Sequence, residues 1–269
     1  MTKTVLITGS TDGIGLATAK MMASKGHTVL LHGRSSAKLE AAETTLSSLP
    51  GAGRIETYVA DLSRMRNVED LAKAVSAIHA KLDVLINNAG VFKSPEPVTA
   101  DGLDVRFAVN TIAPYLLTQR LLPRIVAGGR VVNLSSAAQA RVDPKALAGQ
   151  VRLSEMEAYS QSKLALTMWS RAVALSLDAD GPIVFAVNPG SMLGSKMVTE
   201  GFGVAGGDIG IGADILTRAA LDEDFGKASG KYFDNDLGRF GPPHPDALDP
   251  EKSAEIMQMI ETVLARTAI

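Results

Sequence analysis

Short apolar, β-branched runs alternate along this chain with longer stretches of helical periodicity. The runs at 4–8, 28–32, 55–60, 83–86 and 130–134 have the length and composition of strands. Helical periodicity starts at Ile14 and recurs over 36–48, 68–80, 103–122 and 155–177. Pro50-Gly51-Ala52-Gly53 closes the second of these stretches, whereas 155–177 contains neither Gly nor Pro. Strands alternating with helices of about 10–15 residues imply a parallel sheet with helices on both faces, a doubly wound α/β architecture. Ligands of such sheets sit beyond the carboxyl ends of the strands. Gly9, Arg34, Asp61 and Asn88 all fall at those ends, so the polar residues gather on one edge.

The first strand runs into Gly9-Ser10-Thr11-Asp12-Gly13-Ile14-Gly15 and then directly into a helix. Glycines let a phosphate approach the backbone, and a helix N-terminus offers N–H groups and the positive end of a dipole. Gly9, Thr11, Asp12, Gly13, Ile14 and Gly15 are therefore expected to bind a dinucleotide, although the spacing G-x-x-x-G-x-G differs from the commoner G-x-G-x-x-G. The second strand ends at Gly33-Arg34-Ser35, where a ribose-binding carboxylate would stand in an NAD site. Here no carboxylate repels a 2′-phosphate, and the Arg34 guanidinium can pair with one, which favours NADP(H). NAD(H) stays as the alternative, because Asp12 lies in the loop where a basic residue would help the phosphate more. Asp61, followed by Leu62, can hold the adenine edge, cap the next helix, or do both.

Tyr159 and Lys163 are four residues apart near the start of the last long helical stretch, so both project to one side. A free phenol titrates near ~10, and a fixed cation nearby favours phenolate, which draws that value towards neutral pH. Such a phenol can give up and take back a proton during turnover.

Composition narrows the field. The chain has 269 residues, 46% of them hydrophobic, enough for one core, and no internal boundary divides it. No apolar run reaches the ~20 residues of a membrane span, and MTKTVLITGS enters a strand without a signal-peptide pattern. There is no Cys, and the four His (His27, His32, His79, His244) lack ligand spacing, so no metal site is expected. A net charge of −2 without like-charge blocks argues against a nucleic-acid partner. A cytoplasmic location is expected.

These residues together resemble the short-chain dehydrogenase/reductase family. The resemblance rests on Thr8-Gly9-x-x-x-Gly13-x-Gly15, Asn87-Asn88-Ala89-Gly90, Asn110, Ser135-Ser136, Tyr159-x-x-x-Lys163 and Asn188-Pro189-Gly190, in this order along nearly the whole chain. Tyr159-Ser160-Gln161-Ser162-Lys163-Leu164-Ala165, the tail Ser229-Gly230-Lys231-Tyr232-Phe233 and the long insert after Ser136 are most similar to the retinol dehydrogenase-like branch. The resemblance implies a Rossmann-type sheet of about seven strands in one domain over 1–269, with a substrate lid at about 191–230. It implies hydride transfer between a nicotinamide and an alcohol, ketone or aldehyde. Tyr159 would be the general acid/base, Lys163 would lower its pKa and bind the nicotinamide ribose, and Ser136 would hydrogen-bond the substrate oxygen. Asn110 would hold a water linking Lys163 to solvent, its own helix being disturbed at Pro114, and either Ser135 or Ser136 fills the serine role. Asn88, Ala89, Gly90, Pro189, Gly190 and Met192 would line the cofactor, while the hydroxyl sought four residues after Gly190 falls one place later, at Ser195. In relatives the stretches 103–122 and 155–177 pair across an interface, which implies a homodimer or homotetramer. The glycine-rich 201–207 is expected to be a mobile loop, and Met192, Met197, Val198 and Phe202 imply an apolar substrate. A catalytically silent cofactor-binding scaffold is the competing reading, and it has no need of the Tyr, Lys and Ser that this chain keeps.

Overall fold

The structure, a computed structural model, describes residues 1–267. Its first half repeats strand and helix: β1 (Thr4–Ile7), α1 (Gly13–Ser24), β2 (Thr28–Gly33), α2 (Ser36–Ser47), β3 (Ile55–Val59), α3 (Met65–Ile78) and β4 (Leu82–Asn87). Then come α4 (Val105–Phe107), a π-helical turn (Ala108–Ile112), α5 (Ala113–Leu121), β5 (Ile125–Leu134), α6 (Pro144–Leu147) and α7 (Glu155–Ser176). The chain continues through β6 (Ile183–Asn188), α8 (Lys196–Phe202), α9 (Ile209–Leu221), β7 (Tyr232–Asp234), β8 (Arg239–Gly241) and α10 (Pro250–Thr267).

All strands but the last are parallel, in the order β3-β2-β1-β4-β5-β6-β7-β8. Alternation within each strand divides the core. Leu6, Leu30, Leu85, Val131 and Val184 face a layer that includes α3, α5, α7 and α10, while Val5, Ile7, Val29, Leu31, Val132 and Phe185 face α1, α2 and α9. The strand order turns back between β1 and β4, and this opens the crevice in which an α/β sheet holds its ligand.

The structure departs from expectation in four places. The sheet has eight strands rather than about seven, because β8 returns antiparallel to β7. β8 has only three residues, too few to show a period, and it is held by Phe233, Phe240 and Phe225 in mutual aromatic contact. The stretch 103–122 is not one helix: Ala113 N bonds back to Ala108 O, an i to i−5 step. Pro114 has no N–H to give the carbonyl of Asn110, so the regular ladder cannot pass through. The glycine-rich 201–207 begins inside α8, which Ser195 caps and Gly203 ends with φ 70°.

The fourth departure is α10. Ile256, Ile260, Val263 and Leu264 bury one face of it in the core shared with α7, and Tyr115 Oη of α5 donates to Glu261 Oε1 at 2.5 Å. α10, an element not placed from the sequence, thus packs on α7 and α5 within the chain. Since Ile260 is fully buried, Ile260→Ala should lower stability by about 2–5 kcal/mol. A urea denaturation series checks this, with a drop in midpoint expected at unchanged slope.

Candidate active site

The crevice is built from the carboxyl ends of β1 and β4. Thr8, one residue past β1, accepts at Oγ1 from the backbone N–H of Asn88 (3.0 Å) and Ala89 (3.1 Å). Asn88 Nδ2 donates to the carbonyls of Thr8 (2.9 Å) and Gly9 (3.0 Å). Gly9 has φ +64°, and a Cβ there would lie 2.9 Å from Ala89 Cα. A side chain at position 9 would therefore be strained in backbone and would drive the two strand ends apart. Gly15 is likewise pressed against the Gly9 carbonyl and the Asn88 amide. Asp12 caps α1 by accepting from Gly13 N at 2.8 Å. At Gly13, by contrast, a Cβ would meet only ordinary van der Waals contacts, Ile209 Cδ1 at 3.8 Å and Ser195 Cβ at 3.9 Å. Ser195 thus reaches the glycine turn despite its one-place shift.

Along the edge, Arg34 is exposed beyond β2 and Ser35 caps α2 through Lys38 N. Asp61 is half-buried, accepts from Ser63 N at 2.9 Å and is followed by buried Leu62. The Pro189-Gly190 turn is tied to the β7–β8 loop. Asn188 Nδ2 donates to Asp234 (3.0 Å) and Asp236 (2.9 Å), and Ser191 donates to Asp236 through N and Oγ. Among the described residues Met192 is the one non-glycine with positive φ, 53°, a strained conformation held at this turn.

The side chains expected to act converge on Gly90. A Cβ there would lie 3.5 Å from Asn110 Oδ1 and 3.6 Å from both Lys163 Nζ and Met197 Cε. α7 starts one turn before Tyr159 because Ser154 and Glu157 form a capping box. Lys163 is buried, and its Nζ donates to Leu134 O at 2.7 Å. Burial lowers its pKa from 10.5 to about 8. Asn110, carried on the π turn, clamps Val91 from both sides (2.7 and 2.9 Å) and donates to Ser162 Oγ at 3.0 Å. Ser162 in turn donates to Tyr159 O.

The two serines part company. Ser135 is buried against α7, its Oγ 2.7 Å from Thr167 Oγ1 and 3.3 Å from Lys163 O, whereas Ser136 Oγ accepts from the backbone N–H of Ala138 at 3.1 Å and lies near enough to the Tyr159 phenol to lower its pKa. The structure therefore puts Ser136 in the cleft. The pull of Lys163 on the phenol is not what the sequence led us to expect. Nζ lies 5.7 Å from the Tyr159 ring centroid and is bonded to Leu134. Burial raises the Tyr159 pKa above 10, opposed by the Ser136 hydrogen bond.

Sequence reasoning missed Thr8 as a site residue, and it missed Ser162, Asp236 and Phe92. Phe92 meets Tyr159 edge-on (centroids 5.3 Å, 68°) and stacks on Phe202 of α8 (5.3 Å, 13°). Its place two residues after Asn88-Ala89-Gly90 was the available signal.

Whether these residues suit a dinucleotide can be judged from the crevice itself. An uncrowded Gly13 at a helix N-terminus, and a buried ammonium beside Gly90, fit a phosphate at one end and ribose hydroxyls at the other. Among the described residues no three His, Asp or Glu are grouped to hold a metal, and no helix is long and apolar enough to cross a membrane.

Comparison with known proteins agrees with this geometry. The chain is 31% identical to human retinol dehydrogenase 13, with 93% of this chain and 80% of the relative covered. It is similar to the structure of the promiscuous reductase LugOII, which catalyses keto-reduction at C1 in lugdunomycin biosynthesis (30% identity, TM-score 0.69, covering 87% of this chain and 96% of that one). It is also similar to a short chain dehydrogenase from Burkholderia cenocepacia J2315 in complex with NADP (26% identity, TM-score 0.70, 87% and 95% covered). Since the short chain dehydrogenase profile matches residues 3–202, the chain belongs to that family and is an oxidoreductase acting on CH–OH or C=O groups.

Proposed function

We propose that this chain is an NADP(H)-dependent carbonyl reductase in which Tyr159 is the general acid. The observation that carries the reading is that Lys163 and Asn110 meet beside Gly90 at the strand ends, with the Tyr159 ring 5.7 Å from the Lys163 amine and Ser136 bearing on its phenol. Bound in the crevice, the nicotinamide supplies the hydride. Burial keeps the Tyr159 phenol protonated at neutral pH, the form needed to donate to an oxygen that gains negative charge. Ser136, on the side of the phenol, offers a second hydrogen bond to the same oxygen. Lys163 presents a cation beside Gly90, where ribose hydroxyls can accept from it, and Asn110 holds the Val91 strand and α7 at the spacing this needs.

Arg34, exposed with no carboxylate beside it in sequence, supports NADP(H), as does the NADP complex of the Burkholderia relative. Phe92, Phe202 and Met197 give the cleft an apolar wall and support an apolar ketone or aldehyde, with 191–230 as the lid. A silent scaffold on this fold would not need an ammonium buried at the cost described below.

For assembly, the residues of α5 and of α7 from Ala158 to Ala174 are, Arg120 apart, buried or half-buried within one chain, with α10 packed against them. We infer that a second copy does not pair across these helices. Sedimentation velocity checks this: a single species near the 28.2 kDa of one chain is expected. A dimer that persists after α7 is cross-linked to α10 would count against it only if the interface maps to α5 and α7.

Two further results are expected. Tyr159→Phe should lower kcat for NADPH-dependent reduction by about 10²–10⁴-fold, while Arg34→Ala should raise KM for NADPH about tenfold and leave NADH unaffected. Steady-state kinetics on an aldehyde and ketone panel reads both. Lys163→Met should abolish activity yet stabilise the fold. Lowering the Lys163 pKa from 10.5 to about 8, at about 1.4 kcal/mol per pH unit, sets the cost of the buried charge on the order of 3 kcal/mol. A lost hydrogen bond to Leu134 returns about 1 kcal/mol of that. Between pH 8 and the unfolded value of ~10.4 the unfolded state binds the extra proton, so wild-type stability rises with pH there, and the advantage of Lys163→Met shrinks. Thermal unfolding at pH 7 and pH 9.5 measures it.

A further inference from the structure

The glycine turn is held in place by a histidine outside the reacting group. His32 lies one residue before the end of β2 and is 3% exposed. Its Nδ1 accepts from the backbone N–H of Gly9 at 3.1 Å, and its Nε2 lies 3.2 Å from Ala60 O. An N–H can only donate, so Nδ1 carries a lone pair and the ring proton sits on Nε2, which donates to Ala60. Burial lowers the pKa of the ring to about 4, and the neutral form this requires is present at physiological pH. The backbone of the same residue grips Ser10: His32 N donates to Ser10 Oγ at 2.9 Å, and Ser10 N donates to His32 O at 3.0 Å. One residue therefore joins the carboxyl ends of β1, β2 and β3. It does so at the first glycine of the turn and at the residue preceding Asp61.

We propose that His32 is a positioning residue of the dinucleotide site, its ring holding the Gly9 amide and so the path of the glycine turn. This rests on the reading that the turn binds the cofactor. A misplaced Gly9 would shift Gly13 and the α1 N-terminus, and would weaken cofactor binding without touching the proton-transfer group. His32 is distinct in this from Tyr159 and Lys163, whose loss acts on turnover.

Two amide substitutions separate the two ring bonds. His32→Asn puts an oxygen near the Nδ1 position and keeps an acceptor for Gly9, while giving up Ala60. His32→Gln reaches towards Ala60 with its amide nitrogen and gives up the acceptor. KM for NADPH should stay within about threefold of wild type in His32→Asn and rise about tenfold in His32→Gln, the loss of one hydrogen bond. In both, kcat at saturating NADPH should stay within about threefold. Equal KM effects in the two variants, or a loss confined to kcat, overturn the proposal. The wild-type protein gives an independent reading if either variant does not fold. The imidazole 15N shifts of His32 should show the Nε2–H tautomer, and an Nδ1–H tautomer overturns it. A wild-type chain that binds neither NADPH nor NADH fails the cofactor reading itself, which is distinguishable from failure of the His32 proposal alone.

Discussion

The structure is arranged around one unfavourable act, the burial of an ammonium on α7. Lys163 sits in the core beside Leu134 O, and burial alone lowers its pKa to about 8. A fold optimised for stability would put an apolar side chain there. Its neighbours follow from that choice. β5 must end so that the Leu134 carbonyl faces the amine, and the amine comes to lie beside Gly90. The π turn must bring Asn110 to Val91 and Ser162 so that the backbone beside the amine is held. The half-buried Tyr159 belongs to the same economy of burial. Burial of its phenol raises the pKa and keeps the proton on, and the Ser136 hydroxyl partly offsets the rise.

That local arrangement depends on how strand ends are joined. Parallel pairing of β1 with both β2 and β4 brings Gly9, His32 and Asn88 within hydrogen-bonding distance of one another's backbone or side chains. Thr8 and Asn88 lock the β1 and β4 ends together, and the Asn188, Ser191 and Asp236 bonds do the same for the turn after β6. The crevice is thus a set of loops each pinned by a side chain from a neighbouring strand end. Strain at Met192 is sustained because both sides of its turn are tied.

What the sequence makes legible is local and periodic. The alternation of short apolar runs with helical stretches places the strands β1 to β5 and the helices between them, and the polar residues at strand ends mark the functional edge. Tyr159 and Lys163 can be paired because four residues on a helix is a geometric statement in itself. Features that depend on contacts between distant segments do not show. Ser135 and Ser136 are chemically alike, and only the packing of α7 on β5 decides which of them faces the phenol. Phe92 reaches Tyr159 and Phe202 across three separate segments. The π turn follows from the missing N–H of Pro114, which predicts a disturbance but not its form. α10 is not among the elements placed from the sequence, and its packing on α7 and α5 depends on contacts between distant segments. For Tyr159, spacing gives the proximity of the amine, whereas the burial that raises the phenol pKa follows from packing between distant segments.

The most direct measurement is the titration of Lys163 itself, followed by the 13Cε shift of selectively labelled lysine and assigned by comparison with Lys163→Arg. A midpoint near 8 agrees with an ammonium buried against Leu134. A midpoint near the ~10.4 of a solvated lysine would mean that the amine is not enclosed by the fold, and the description of the site given above would be wrong.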